Sequence, residues 1–208
     1  MSAFLGKIHY WLYGKIQLHE QLAEELLERA AEKKGDIRSL RQEGYERFGS
    51  SAQGALEDVI NHGNIHGWLQ ERIHSVEGRI AFTVTELERK GVLSIEDMAQ
   101  IFSRSGSDSA KDLDISESSP QDMHRIIFDF MLEGMPCDRV SETLSSTEAE
   151  FSWRAARCLH SDFWDRVGGD VANYHLLRDA WIKGFIDSSG SGLSYSRTAD
   201  GISAIRRG

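Results

Sequence analysis

Apolar residues recur every three to four positions along most of the chain, which is the period of an α-helix. The longest apolar stripes run from Leu5 to Ala30 and from Ile65 to Leu87. β-branched residues never alternate with polar ones for the length of a strand, and the chain contains only 2 prolines. This pattern predicts an all-α fold, a multi-helix bundle of about six or seven helices.

Glycine-containing breaks separate the predicted helices, as expected where a helix must end. Gly35, Gly134 and the pair Gly168-Gly169 each follow a helical stretch, and Ser119-Pro120 is a typical helix start. The predicted helices span roughly 3–34, 37–48, 65–90, 94–102, 120–133, 147–166 and 171–186, with a short helical piece at 56–60.

The same reading predicts one domain followed by a tail. Residues 1–187 form a single all-α domain with a mobile Ser- and Asp-rich loop near 103–119. Residues 188–208 are rich in Ser and Gly and show no convincing period, so they are predicted to be a flexible C-terminal tail.

Composition narrows the class of protein. The 208 residues are 40% hydrophobic and 27% charged, which is typical of a soluble globular protein. The net charge of −9 argues against a nucleic-acid partner, which would require a basic surface. Charged residues such as Lys7 and Lys15 interrupt the apolar N-terminus, and no stretch is long enough to span a membrane. With only 2 cysteines the chain is predicted to be cytoplasmic.

Several histidines and glutamates fall together on predicted helices. Glu71 and His74 form a Glu-x-x-His pair, whose spacing places both side chains on one helical face. Imidazole and carboxylate groups are ligands of iron and zinc in proteins. The predicted metal ligands are His62, His66, Glu71, His74, Glu77 and His19.

These spacings partly resemble those of metal-binding helical bundles. Di-iron carboxylate bundles use Glu-x-x-His twice, whereas this chain has it once. His62 and His66 match the His-x-x-x-His spacing of hemerythrin-like bundles, and His124 with Asp129, or His160 with Asp165, matches His-x-x-x-x-Asp. The resemblance implies a transition metal ion, iron or zinc, but identifies no family. The alternative is that these histidines are hydrogen-bonded or interfacial residues.

The two cysteines suggest different interpretations. Cys137 lies in a predicted turn beside Arg139, which would lower a thiol pKa, so it is a candidate catalytic nucleophile. An unreactive thiol is the alternative. Cys158 and His160 are two positions apart on the predicted helix 147–166 and would point to nearly opposite faces. That geometry argues against a shared zinc ion.

The last predicted helix carries a charge in an aromatic stripe. Arg178 lies near the centre of the stripe, beside Trp181 and with His175 at its margin. A buried charge is costly unless it is paired. One interpretation is a small-molecule pocket in which His175, Arg178 and Trp181 bind a carboxylate or phosphate. The other is a structural ion pair with Asp162, Asp165 or Asp138.

Three functional hypotheses follow, and the sequence leaves open whether the protein is an enzyme. The first is a bundle that binds a metal ion through His and Glu and supports redox or hydrolytic chemistry. The second is a non-enzymatic interaction or small-molecule-sensing module, whose apolar helix faces would also allow a homo-oligomer. The third is a cysteine-dependent enzyme centred on Cys137.

Overall fold

The computed structural model describes residues 5–33, 35–133 and 140–208. Over these ranges the chain is helix-rich, with eight helices and one four-stranded antiparallel sheet. The helices are α1 (Lys7–Glu32), α2 (Ile37–Phe48), α3 (Leu56–Val59), α4 (Ile65–Arg89), α5 (Ile95–Ala110), α6 (Pro120–Phe128), α7 (Ser161–Val167) and α8 (Val171–Ser188). The strands are β1 (Ser141–Ser146), β2 (Glu150–Ala155), β3 (Leu193–Arg197) and β4 (Ile202–Arg207).

The sheet shows that the all-α prediction is wrong. Its strand order is β1-β2-β4-β3, and every neighbouring pair is antiparallel. Strands β1 and β2 occupy 141–155, where the predicted helix 147–166 should have begun. Strands β3 and β4 occupy most of 188–208, so the absence of regular structure predicted there is also wrong.

Short strands explain these errors. In β2, Phe151 and Trp153 are buried on one face, and they alternate with Ser152 and Arg154. This is the period of two that a strand requires, but it lasts only a few residues. Burial of the two aromatic side chains against α6 outweighs the weak helical propensity of the segment.

Two helix ends also differ from their predicted positions. Helix α5 continues to Ala110, so the first half of the loop predicted near 103–119 is helical. Helix α6 ends at Phe128 rather than at residue 133. The single-domain boundary at 1–187 stays a prediction.

The described residues cluster into two compact units. Unit 1 contains the residues up to Ser94, together with 130–133 and 162–169, and therefore holds α1 to α4 and most of α7. Helix α4 packs against both α1 and α2 and is buried without interruption from Ser75 to Leu87. Trp164 of α7 is 1% exposed and completes this unit's core.

A buried ion pair lies inside unit 1. Glu20 on α1 accepts a hydrogen bond from the guanidinium of Arg79 on α4, and both side chains are almost fully buried. The second carboxylate oxygen of Glu20 has no hydrogen-bond partner in the part of the chain that the structure describes. Desolvating two charges costs several kcal/mol, so this pair contributes little net stability although breaking it is expensive.

Removing only the guanidinium should therefore destabilise the protein strongly. We expect Arg79→Met to lower the free energy of unfolding by about 3 kcal/mol, because it leaves the Glu20 carboxylate buried and unpaired. The double variant Glu20→Leu/Arg79→Met should recover most of that loss. Urea denaturation of the two single variants and the double variant measures this, and additive losses would contradict it.

Unit 2 contains residues 95–129, 140–161 and 170–208, and hence α5, α6, α8 and the sheet. Helix α6 packs against β2 and β4, and α8 packs against β3. Between α6 and β2, the ring of His124 lies against Phe151, Trp153 and Phe128, with ring centroids 4.4 to 4.6 Å apart. These contacts hold the sheet against the helices of this unit.

Two glycines let α5 and α8 approach closely. A β-carbon at Gly106 would lie 2.0 Å from the carbonyl oxygen of Trp181, and one at Gly184 would lie 2.0 Å from that of Ser103. The two contacts are symmetric because the helices run antiparallel and each offers a glycine to the backbone of the other. No residue with a side chain fits at either position without moving a helix.

Every helix among the described residues is too short or too polar to cross a membrane.

Candidate active site

The predicted metal ligands of α4 and the turn before it are engaged with their neighbours. Glu71 forms an ion pair with Arg72 at 2.7 Å, and His74 Nε2 lies 2.7 Å from Gln70 Nε2. His62 is exposed, and its Nε2 lies 3.2 Å from the backbone oxygen of residue 57. These three side chains therefore make local contacts and do not converge on a common point.

Two further predicted ligands, Glu77 and His19, lie on different helices. Glu77 is buried in α4, and His19 Nδ1 lies 2.9 Å from the backbone oxygen of Lys15 on α1. Among the described residues, no three His, Cys, Asp or Glu side chains are grouped so that they could hold a metal ion. The iron or zinc site stays a prediction.

His66 does have a histidine partner, which is His9 of α1. Their Nε2 atoms lie 3.2 Å apart. His9 Nδ1 accepts a hydrogen bond from the backbone N–H of Gly6 at 2.9 Å, so the proton of a neutral His9 ring is on Nε2. His9 Nε2 then donates a hydrogen bond to His66 Nε2. This bond occupies the lone pair on His66 Nε2 that a metal ion would need.

The structure describes one of the two cysteines, Cys158. Cys137 lies outside the described residues. Cys158 is exposed in the loop between β2 and α7, and is not on a helix. The argument that Cys158 and His160 point to opposite helical faces is therefore wrong, because no helix is present at these positions.

Cys158 interacts with a histidine from a different element. Partial burial of the thiol opposes ionisation, but hydrogen bonds from the side chains of His175 and Ser161 and from the backbone of His160 favour the thiolate. The positive charge of the His160 ring acts in the same direction, and together these groups lower the pKa of Cys158 to about 6. At neutral pH the sulfur is therefore mostly an anion.

An aromatic side chain orders the two imidazoles around Cys158. The His160 ring is 3% exposed and stacks on Tyr174, with centroids 3.7 Å apart and planes at 20°. The same Tyr174 ring contacts His175 edge-on at 5.2 Å. Since Tyr174 and His175 are on α8, this helix fixes His175 beside the thiol.

His175 also lines a cleft of about 490 Å³, whose lining does not include Cys158. One face of α8 forms its main wall, because positions 172, 175, 176 and 179 follow the helical period. Its volume lies in the range of small-molecule sites. The lining residues are Asp170, Val171, Ala172, His175, Leu176, Asp179, Arg197 and Ala199.

Of the three predicted ligand-binding residues, His175 lines the cleft and the other two do not. Trp181 is completely buried and stacks on Phe185 at 5.2 Å. Arg178 Nη1 lies 3.8 Å from the carboxylate of Asp179. The ion pair of Arg178 with Asp162 or Asp165 stays a prediction. Asp138, the third predicted partner, lies outside the described residues.

Asp179 organises the floor of the cleft. It accepts a hydrogen bond from Tyr195 at 2.7 Å, and its other oxygen lies 3.9 Å from Arg197. Burial is the main cause that raises the pKa of Tyr195 to about 12. The positive charge of Arg178 opposes this shift, and the adjacent Asp179 carboxylate adds to it. Tyr195 therefore stays protonated and serves as a permanent hydrogen-bond donor to Asp179.

Sequence reasoning missed the residues that complete this site. Cys158 lies in the segment predicted as the helix 147–166, and Arg197 lies in the tail predicted at 188–208, so neither residue is a predicted site residue. Asp200-Gly201 between two short stretches of serine and apolar residues is a hairpin signal that would have placed Arg197 on a strand.

Comparison of the chain with known protein families, with curated proteins and with solved structures finds no match. The geometry of the chain itself is therefore what supports a function. Cytoplasmic location, homo-oligomerisation and the absence of a nucleic-acid partner stay predictions.

Proposed function

We propose that the protein is a cysteine-dependent hydrolase of small activated acyl compounds, such as esters or thioesters, with Cys158 as the nucleophile and His175 as its acid–base partner. The observation that supports this is the hydrogen bond between the Cys158 thiol and His175, a residue that also lines the cleft. A nucleophile in contact with an imidazole beside a small-molecule cavity is the arrangement that covalent acyl transfer requires.

The reaction would proceed in two steps. Cys158 Sγ attacks the carbonyl carbon, so that a carbon–sulfur bond forms and the bond to the leaving group breaks, while His175 gives its proton to the leaving group. Water then attacks the thioester, His175 takes a proton from that water, and the acid leaves as the Cys158 thiolate is restored. His160 stacks on Tyr174 and stabilises the negative sulfur without touching the substrate.

The pH dependence of alkylation tests the thiolate. In a Cys137→Ala background, the rate of Cys158 alkylation by iodoacetamide should rise with a midpoint near pH 6 and level off by about pH 7.5. The rate rises with pH because only the thiolate reacts. Adding His175→Ala should move the midpoint up towards about 8.5, the range of an unperturbed thiol.

Two controls make this test decisive. His62→Ala removes an exposed histidine of unit 1 and should leave the midpoint unchanged. The Cys158→Ala protein reports on Cys137 alone. An ordinary midpoint for Cys158 together with a low one for Cys137 would overturn the proposal and favour a nucleophile at Cys137.

A further inference from the structure

His9 and His66 face each other from the first turns of two helices that pack together. Helix α1 carries His9, helix α4 carries His66, and the two helices contact each other within unit 1. The Nε2 atoms of the two rings lie 3.2 Å apart, whereas the ring centroids lie 5.3 Å apart. The Nε2 edges of the rings therefore point towards each other, and this contact is exposed to solvent.

Two local contacts hold the rings in this arrangement. His9 Nδ1 accepts a hydrogen bond from the backbone N–H of Gly6 at 2.9 Å, which fixes the ring at the start of α1. The Asn64 side chain accepts from the backbone N–H of Gly67 at 3.1 Å and caps α4 just before His66. The fold therefore positions both imidazoles in advance, which lowers the entropic cost of binding a ligand between them.

The separation of the two nitrogen atoms is the one that a tetrahedral metal ion requires. Zinc binds imidazole nitrogen at about 2.0–2.1 Å, so two nitrogen ligands at a tetrahedral angle lie about 3.3 Å apart. We propose that His9 and His66 bind one divalent transition-metal ion, such as Zn²⁺, through their Nε2 atoms. This inference is independent of the proposed hydrolase function. It joins one of the predicted ligands, His66, to a histidine of a different helix.

The metal ion must replace the proton that lies between the two rings. In the metal-free protein this proton is on His9 Nε2 and is donated to His66 Nε2. When the ion binds, the proton moves to His9 Nδ1, so that both Nε2 lone pairs are available and both rings stay neutral. The N–H of Gly6 then loses its acceptor, but Gly6 is only half-buried, and water can take that place. Two metal–nitrogen bonds outweigh the loss of this hydrogen bond.

The surroundings of the pair suit a cation. Tyr10, the residue after His9, donates a hydrogen bond to the Glu57 carboxylate at 2.7 Å. A backbone hydrogen bond and then this bond from Tyr10 lower the pKa of Glu57, so the carboxylate is ionised. In the part of the chain that the structure describes, no third His, Cys, Asp or Glu side chain joins the two histidines. Water molecules would therefore complete the coordination of the ion.

Zinc titration of the full chain tests the site. A Cys137→Ala/Cys158→Ala background removes the thiols, which are themselves zinc ligands. Isothermal titration calorimetry should give one Zn²⁺ per chain. His9→Gln and His66→Gln should each weaken binding at least about tenfold, since loss of an outer-shell partner alone costs about that much. His62→Gln removes an exposed histidine in the turn before α4 and, as the matched control, should leave the affinity unchanged.

The tautomer of His9 separates a defined site from scattered binding to surface histidines. Long-range proton–nitrogen NMR should show that zinc moves the His9 proton from Nε2 to Nδ1, and that His66→Gln abolishes this change. An equal loss of affinity in all three histidine variants, an unchanged His9 tautomer, or no zinc binding would each overturn the inference.

Discussion

Replacing Cys158 by alanine is expected to reduce ester hydrolysis by about a thousandfold or more, with no loss of folding stability beyond about 1 kcal/mol. The residue is exposed and lies in a loop, so the side chain contributes little to packing. Its removal takes away the nucleophile itself, and the remaining His175 can only assist a direct attack by water. Steady-state hydrolysis of p-nitrophenyl hexanoate measures the effect.

His175→Ala should have a smaller effect than Cys158→Ala, because a thiolate without its acid–base partner still reacts. General acid–base catalysis typically contributes about a hundred- to ten-thousandfold. The double variant should be no worse than Cys158→Ala alone, since the two side chains act as one unit. Hydrolysis that persists unchanged in Cys158→Ala would show that the esterase activity arises elsewhere.

Replacing Gly106 or Gly184 by alanine is expected to have the largest effect on stability, a loss of about 3 kcal/mol or more for each substitution. The added β-carbon would lie 2.0 Å from a backbone carbonyl oxygen of the opposite helix, and a backbone atom cannot rotate away as a side chain can. The helices α5 and α8 must then separate. Because α8 carries His175 and Asp179, hydrolysis should fall together with the unfolding midpoint in urea.

Gly14 offers a matched control for this prediction. It lies on an exposed face in the interior of α1, and a β-carbon there would have no atom within 4 Å. Gly14→Ala should therefore stabilise the protein by about 0.5–1 kcal/mol, which is the difference in helix propensity. Equal unfolding midpoints for Gly14→Ala and Gly106→Ala would contradict the close contact of α5 with α8.

The long helices could be predicted because their sequences carry enough turns of a repeating pattern. Helix α2 (Ile37–Phe48) is confirmed at both ends, and α4 (Ile65–Arg89) differs from its prediction by one residue. Each begins after a polar capping residue, Asp36 or Asn64, whose side chain accepts a backbone N–H. Local signals of this kind act within a few residues and need no tertiary contact.

The sheet could not be predicted in the same way, because its stability comes from contacts distant in the chain. Strand β2 pairs with β4, so that Phe151 lies opposite Ile205. Strand β1 is almost entirely exposed and rich in serine, and nothing in its own sequence favours a strand. Pairing with β2 supplies the hydrogen bonds that hold it extended.

The candidate site was accessible to sequence reasoning only in part. His175 could be selected because a polar side chain at the margin of an apolar helical stripe is visible in the pattern. Cys158 could not, since it follows the short strand β2, and Arg197 at the end of β3 was accessible only through the hairpin signal at Asp200-Gly201. The wrong fold class therefore kept Cys158 from being considered as a nucleophile, while Cys137 stays a prediction.

The discontinuous make-up of unit 1 also has a consequence for the order in which the chain can fold during its synthesis. Helices α1 to α4 leave the ribosome first. Two residues that pack on α4 are made much later: Phe163 contacts His74, and Gly169 lies close to Thr85. Until then this part of the α4 surface lacks its cover. The nascent chain should accordingly be bound by chaperones and cleaved by proteases until residue 169 has emerged, and only then acquire its resistance to both.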